Sequence, residues 1–170
     1  FTLLFANESE ECLAGLKQNG CYVFRNKLDD KIVEEIISEV ACNELKIEKI
    51  DQQQSCSNLL SREEAISEEK SDSLRFFYSK KAIDNCRHLK KIASNHKLLD
   101  IIVRYFGGKP FYSGIEGWLS VGRKDQSIEK ICMAAQEYHF DLDAFKFLKV
   151  FIYLSDVDKY SGAHSFIEGS

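Results

Sequence analysis

His139 and Asp141 stand two residues apart in EYHFDLD, just before the run FKFLKVFIYL at 145–154. On an extended backbone, residues two apart share a face, so an imidazole nitrogen and a carboxylate oxygen can reach the same ion. One His and one carboxylate with open positions suit non-haem Fe(II), the set being completed by a second His from elsewhere in the chain. A zinc hydrolase would use the same pair but needs a third ligand and a general base close by, and the neighbouring sequence offers neither. The remaining reading is a surface His beside solvated acids.

Other polar residues around the pair are weighed in the same way. Asp143 shares the parity of His139 and Asp141, and either faces the same pocket or ends the strand in solvent. Asp156 and Asp158 occupy the first and third positions of a calcium-loop pattern, but Ser161 stands where that loop requires Gly, so DVDKYSG reads as a hairpin turn. His164 follows the Gly162 turn by two residues and is expected on the sheet surface or in a pocket lining, the alternative being a further iron ligand. His88 and His96 fall in helical stretches, as surface or capping groups.

These residues need a scaffold, and the sequence divides into helices first and strands after. Ser9 with Glu10 and Glu11 opens a short helix that Asn19-Gly20 ends. CYVFR (21–25) is strand-like, and Asp29-Asp30 begin a longer helix whose stripe is Ile32, Val33, Ile36, Ile37, Val40, Ala41 and Leu45. The polar stretch 51–73 holds too few bulky residues to order itself firmly and reads as a mobile insertion. Helices are expected at 79–94 and 96–106, the second ended by Gly107-Gly108 and Pro110. The basic residues of SKKAIDNCRHLKK lie around Ala82, Ile83, Cys86 and Leu89, as on the solvated side of an amphipathic helix. Beyond 108, short aromatic and β-branched runs separated by turn residues read as an antiparallel sheet system. Within 147–154, Leu148, Val150, Ile152 and Leu154 form one face. Phe147, Lys149, Phe151 and Tyr153 form the other, which lines a pocket or lies outside.

The order of these features resembles the phytanoyl-CoA dioxygenase family of Fe(II)- and 2-oxoglutarate-dependent oxygenases. The matching residues run from His139-Phe-Asp141 through Lys149, Phe151-Ile-Tyr153-Leu154 and Asp156-Val157-Asp158 to Gly162 and Gly169-Ser170. Upstream, LKQNGCYVFRNKLDDKIVEEI is similar to the family's opening, and NHKLLDIIVRYFGG to the helix before its barrel. The resemblance covers nearly the whole chain apart from 51–73.

It implies an α+β fold in which N-terminal helices pack on a double-stranded β-helix, a cupin-like jelly-roll barrel. Residues 1–170 would form one domain, with 1–108 as a mainly helical layer and 109–170 as the first part of the barrel. His139 and Asp141 would be iron ligands and catalytic residues, with 2-oxoglutarate and O2 as cosubstrates. The implied reaction is hydroxylation of an aliphatic carbon of a small molecule, with release of succinate and CO2. Lys149 would balance a carboxylate of 2-oxoglutarate or of the substrate, or else lie in solvent. Trp118 would line the cosubstrate pocket, or serve as a core aromatic. The family's second iron His and its 2-oxoglutarate-binding Arg belong to strands beyond the segment ending in Gly-Ser-His. This sequence ends at Gly169-Ser170, so the rest of the barrel is expected outside these residues. The alternative function is a non-catalytic jelly-roll homologue that binds a ligand or partner, and a His and an Arg at family spacing further on would favour the enzyme.

The totals narrow the field. Of 170 residues, 44% are hydrophobic and 12% aromatic, as a folded domain requires. A formal net charge of −4 argues against nucleic acid as a partner. Six cysteines without a CxxC pair suit a reducing compartment, so a cytoplasmic location is expected. The start FTLLF is too short and lacks the basic residues of a leader, so neither a signal peptide nor a membrane span is expected there. Oligomeric state and substrate identity are not encoded in these patterns.

Overall fold

The computed structural model describes residues 5, 8–41, 45–47, 59–67, 75–122, 127–128, 137–139, 141, 144–159 and 162–169. It divides into two compact units. The first comprises 1–36, 84–115 and 164–170, and the second 37–83 and 116–163.

In the first unit, α1 (Ser9–Gln18) and α6 (His96–Phe106) pack through Cys12, Leu13 and Ile101, flanked by Leu16, Tyr22, Phe24 and Tyr105. Residues 21–25, expected as a strand, form no ladder. Tyr22 and Phe24 turn inward while Val23 is exposed, and the segment is fastened by a side chain instead. Buried Glu8 accepts from the Tyr22 hydroxyl at 2.7 Å, the Arg25 backbone N–H at 3.2 Å and Asn26 Nδ2 at 3.3 Å. These three donors meet the need of a buried carboxylate for hydrogen bonds. The Tyr22 hydroxyl above all, with the Arg25 N–H and charge, holds Glu8 below the usual carboxylate range against the opposing effect of burial. Gly15 permits the approach, since a Cβ there would stand 3.0 Å from the Tyr22 ring.

The α6 boundaries are set by local chemistry. Asn95 Oδ1 accepts from the backbone N–H groups of Lys97 (3.0 Å) and Leu98 (3.3 Å), and Gly107 closes the helix at φ +73°. The helix expected over 79–94 is two helices, α4 (Lys80–Asn85) and α5 (Arg87–Ala93). They part at Cys86, whose extended backbone (ψ 114°) ends one helix and precedes the next. His88, expected at the surface, is buried on α5, and its Nε2 lies 2.6 Å from Glu35 Oε2. Glu35 belongs to α2 (Asp30–Ala41), which Asp29 starts through its carboxylate on the Lys31 N–H. This helix ends before Leu45, so the last residue of the expected stripe lies elsewhere.

The second unit is built on an antiparallel sheet of order β2-β1-β3-β4: β1 is Leu45–Ile47, β2 Leu59–Leu60, β3 Arg75–Phe77 and β4 Trp118–Ser120. Three of these strands arise within the stretch expected to be a helical layer. The expected mobile insertion at 51–73 holds β2 and the short helix α3 (Arg62–Ser67), while 51–58 and 68–73 lie outside the described residues. Phe76 pairs with Leu119, and both turn to a core that also contains Tyr78 and Val121. Arg75, Phe77, Trp118 and Ser120 project from the other face, because directly paired residues share a side.

Of the expected barrel strands, Trp118–Ser120 is β4, and 131–136 lies outside the described residues. Residues 144–159 and 162–169 contain no ladder-paired strand. Alternating side chains make a strand only where a neighbouring backbone supplies partners in register. Ala163 N–H bonds Asp158 O at 3.2 Å, closing the loop expected as a hairpin turn. No helix among the described residues is long and apolar enough to cross a membrane.

Candidate functional site

The site lies in the second unit and begins with the orientation of one imidazole. His139 Nδ1 is 2.8 Å from the backbone oxygen of Glu137. A carbonyl oxygen only accepts, so this bond requires the proton on Nδ1 and, in the neutral ring, leaves Nε2 as a lone pair. Nε2 faces Asp141 Oδ1 at 3.4 Å. A lone pair and a carboxylate oxygen repel unless a cation lies between them. The Lys149 ammonium on the same carboxylate supplies positive charge here, and a metal ion between the two groups would do so as well.

The spacing suits a metal. With both bonds at about 2.1 Å, a separation of 3.4 Å corresponds to an angle of about 110° at the ion. A backbone carbonyl on the far nitrogen is also the usual way a ligating His is fixed. An angle of about 110° is the one between two corners of a tetrahedral site, whereas adjacent ligands of a six-coordinate iron would stand about 3.0 Å apart, so an ion of that kind would require the pair to close by a few tenths of an ångström. Among the described residues, no cluster of three His, Cys, Asp or Glu side chains gathers to hold an ion. His164 belongs to the first unit, and Asp143 lies outside the described residues.

Lys149 joins the pair from the following segment. Its Nζ is 2.5 Å from Asp141 Oδ2 and lies 5.2 Å from the centre of the Phe147 ring. Lys149 is thus the residue of this segment shown to reach the His-Asp pair. The side chains are 44% exposed for His139, 33% for Asp141 and 44% for Lys149. Pairs this open to water contribute at most about 1 kcal/mol to folding.

Trp118 connects to the same segment by meeting Phe151 edge-on at 6.5 Å. Its ring also lies 6.1 Å from Phe77 and 5.3 Å from the Arg75 guanidinium, which sits 5.8 Å from Phe77 as well. Trp118 is 38% exposed on the outer face of the sheet, so it is not a core aromatic. Arg75 escaped sequence reasoning. The only signal was the run Arg-Phe-Phe-Tyr after the polar stretch, where alternation would set Arg75 and Phe77 on one side.

No protein-family model, curated protein or solved structure matches this chain.

Proposed function

We propose that this chain is an Fe(II)- and 2-oxoglutarate-dependent oxygenase of the phytanoyl-CoA dioxygenase type, acting on a small molecule. The observation that supports it best is the bond from His139 Nδ1 to Glu137 O, which directs Nε2 at Asp141 Oδ1 across 3.4 Å. On this reading His139 Nε2 and Asp141 Oδ1 hold the iron, and a second His and a cation for the far carboxylate of 2-oxoglutarate come from outside the described residues. The bound iron supplies the oxidising chemistry that couples decarboxylation of 2-oxoglutarate to hydroxylation of an aliphatic carbon. The protein's own contribution is to orient: Glu137 O fixes the imidazole, Lys149 fixes the carboxylate, and Trp118 with Phe151 places apolar surface beside the segment carrying Lys149. The double-stranded β-helix belongs to the same proposal, as does a reducing, cytoplasmic setting. The free thiols of Cys12 and Cys21 suit that setting.

The experiment is anaerobic addition of Fe(II) and 2-oxoglutarate to the intact protein. A weak visible charge-transfer band is expected, absent from His139→Ala and Asp141→Ala. Succinate release undiminished in Asp141→Ala refutes the ligand assignment. Lys149 also favours a second reading, because an ammonium 2.5 Å from Asp141 supplies positive charge without a metal. That reading is a non-catalytic module binding a ligand at this face, and it predicts 2-oxoglutarate binding that is unchanged in EDTA.

A further inference from the structure

Three rings meet on the outer face of the β3–β4 ladder without stacking flat. Phe77 is tilted 41° to Trp118, and Phe151 stands at 90° to it. Rings laid parallel would cover one another's faces, whereas rings at these angles leave surface uncovered, and Trp118 and Phe151 are 38% and 45% exposed. A guanidinium stands among them, with Arg75 Cζ 5.3 Å from the centre of the Trp118 ring and 5.8 Å from that of Phe77. Ser120 is the register partner of Arg75, so its exposed hydroxyl projects beside that charge. We infer that this face is a binding surface for a small aromatic carboxylic acid, its ring on Trp118 and Phe151 and its carboxylate on Arg75 and Ser120. The inference goes beyond the oxygenase reading, since no part of it involves a metal.

The charge selects an anion. Lys149, on the same segment as Phe151, is engaged with Asp141 at 2.5 Å, so Arg75 is the described cation lying against the Trp118 ring. A guanidinium carries five N–H donors in a planar fork that matches the two oxygens of a carboxylate. Five donors also suffice to serve a ligand together with the contacts that Arg75 makes within the chain. Its position against two rings restricts how that fork can turn, which lowers the cost of meeting a planar acid. The rings select an aromatic body, because a flat ring can lie on the indole and present an edge to Phe151, and an aliphatic chain gains only the burial. The dimensions select a small molecule. A protein partner would need about 800 Å² on each side, well above what three rings, each less than half exposed, present.

The test uses the indole N–H of Trp118, which gives a single resonance because the chain has one tryptophan. Phenylacetate, phenylacetamide and cyclohexylacetate are titrated into the intact 15N-labelled protein at fixed ionic strength with EDTA present. Phenylacetate should move the resonance saturably, with a dissociation constant on the order of 1 mM for a ligand of this size. Phenylacetamide keeps the ring without the charge and should bind about tenfold more weakly. Cyclohexylacetate keeps the charge without the ring and should bind more weakly and without a ring-current shift. Arg75→Met, whose side chain still packs on the rings, should weaken phenylacetate by about tenfold and leave phenylacetamide unchanged. Arg75→Lys, a charge without the fork, should fall between Met and wild type. Phe151→Ala should weaken phenylacetate and phenylacetamide by the same factor. An Arg75 that only braces the ladder predicts equal losses for acid and amide in Arg75→Met, and that result overturns the inference. So does a wild-type protein that shows no saturable shift with phenylacetate, or that binds phenylacetate and phenylacetamide equally, a comparison that needs no variant to fold.

Discussion

Replacing Phe76 by Ala tests whether the sheet of the second unit is what holds the candidate site's aromatic face. Phe76 has no exposed surface and lies on β3, with β1 on one side and β4 on the other. Its register partner Leu119 is held in the β3–β4 ladder and Tyr78 by its N–H on Gly117 O at 2.9 Å, so neither can move far to fill the space. Burial of this completeness places Phe76→Ala in the upper part of the range for Phe-to-Ala changes, about 4 kcal/mol. For a chain of this length each kcal/mol lowers the melting temperature by about 2–4 °C, giving a drop of roughly 8–16 °C. The sole tryptophan reports on the event directly, because Trp118 sits on β4 and touches Phe77, the next residue of β3. Urea unfolding followed by Trp118 fluorescence should show a lower midpoint with an unchanged slope. Phe76→Leu, which keeps most of the volume, should cost about 1 kcal/mol. A loss below about 1 kcal/mol in Phe76→Ala would mean that β3 is not packed as described, and the placement of Arg75, Phe77 and Trp118 on one face would fall with it.

Two further outcomes concern the first unit. Asn95→Ala removes the acceptor for two N–H groups in a nearly buried cap, so urea unfolding followed by circular dichroism should show a loss of about 1.5 kcal/mol, largely recovered by Asn95→Asp. Glu8, whose acidity is raised chiefly by the Tyr22 hydroxyl, has a folded-state pKa below its ordinary value of 4.5. Its stabilising contribution is complete above pH 4.5 and drains away as pH falls through the folded value. Glu8→Gln should therefore flatten the acid limb of the stability curve relative to wild type, as read from urea midpoints across that range; parallel limbs would refute the assignment.

The parts of this fold visible in the sequence are those decided by residues close in the chain. The boundaries of α6 follow from Asn95 and Gly107, and the start of α2 from Asp29, because caps act within one turn. Cys86 interrupts an otherwise regular stripe, and nothing in its type announces a break. The strands β1, β2 and β3 have two or three residues each, too short for a period, and exist through their ladder partners. The segment 21–25 alternates like a strand, yet its anchor is Glu8, an acid in a polar run. At the site, the spacing of His139 and Asp141 was sufficient to bring them together. The approach of Lys149 to Asp141 was not legible, since the two stand eight positions apart and both sides of 147–154 are rich in bulky residues. Arg75 and Trp118 lie far apart in sequence and meet through strand register.

The carboxylate of Glu8 gathers donors that are 14, 17 and 18 positions downstream. Loops this short cost little entropy to close. Residues 8–26 can thus close into a hook before Ile101 has been made to cover Cys12 and Leu13, and until α6 is made the apolar flank of α1 has no partner from that helix.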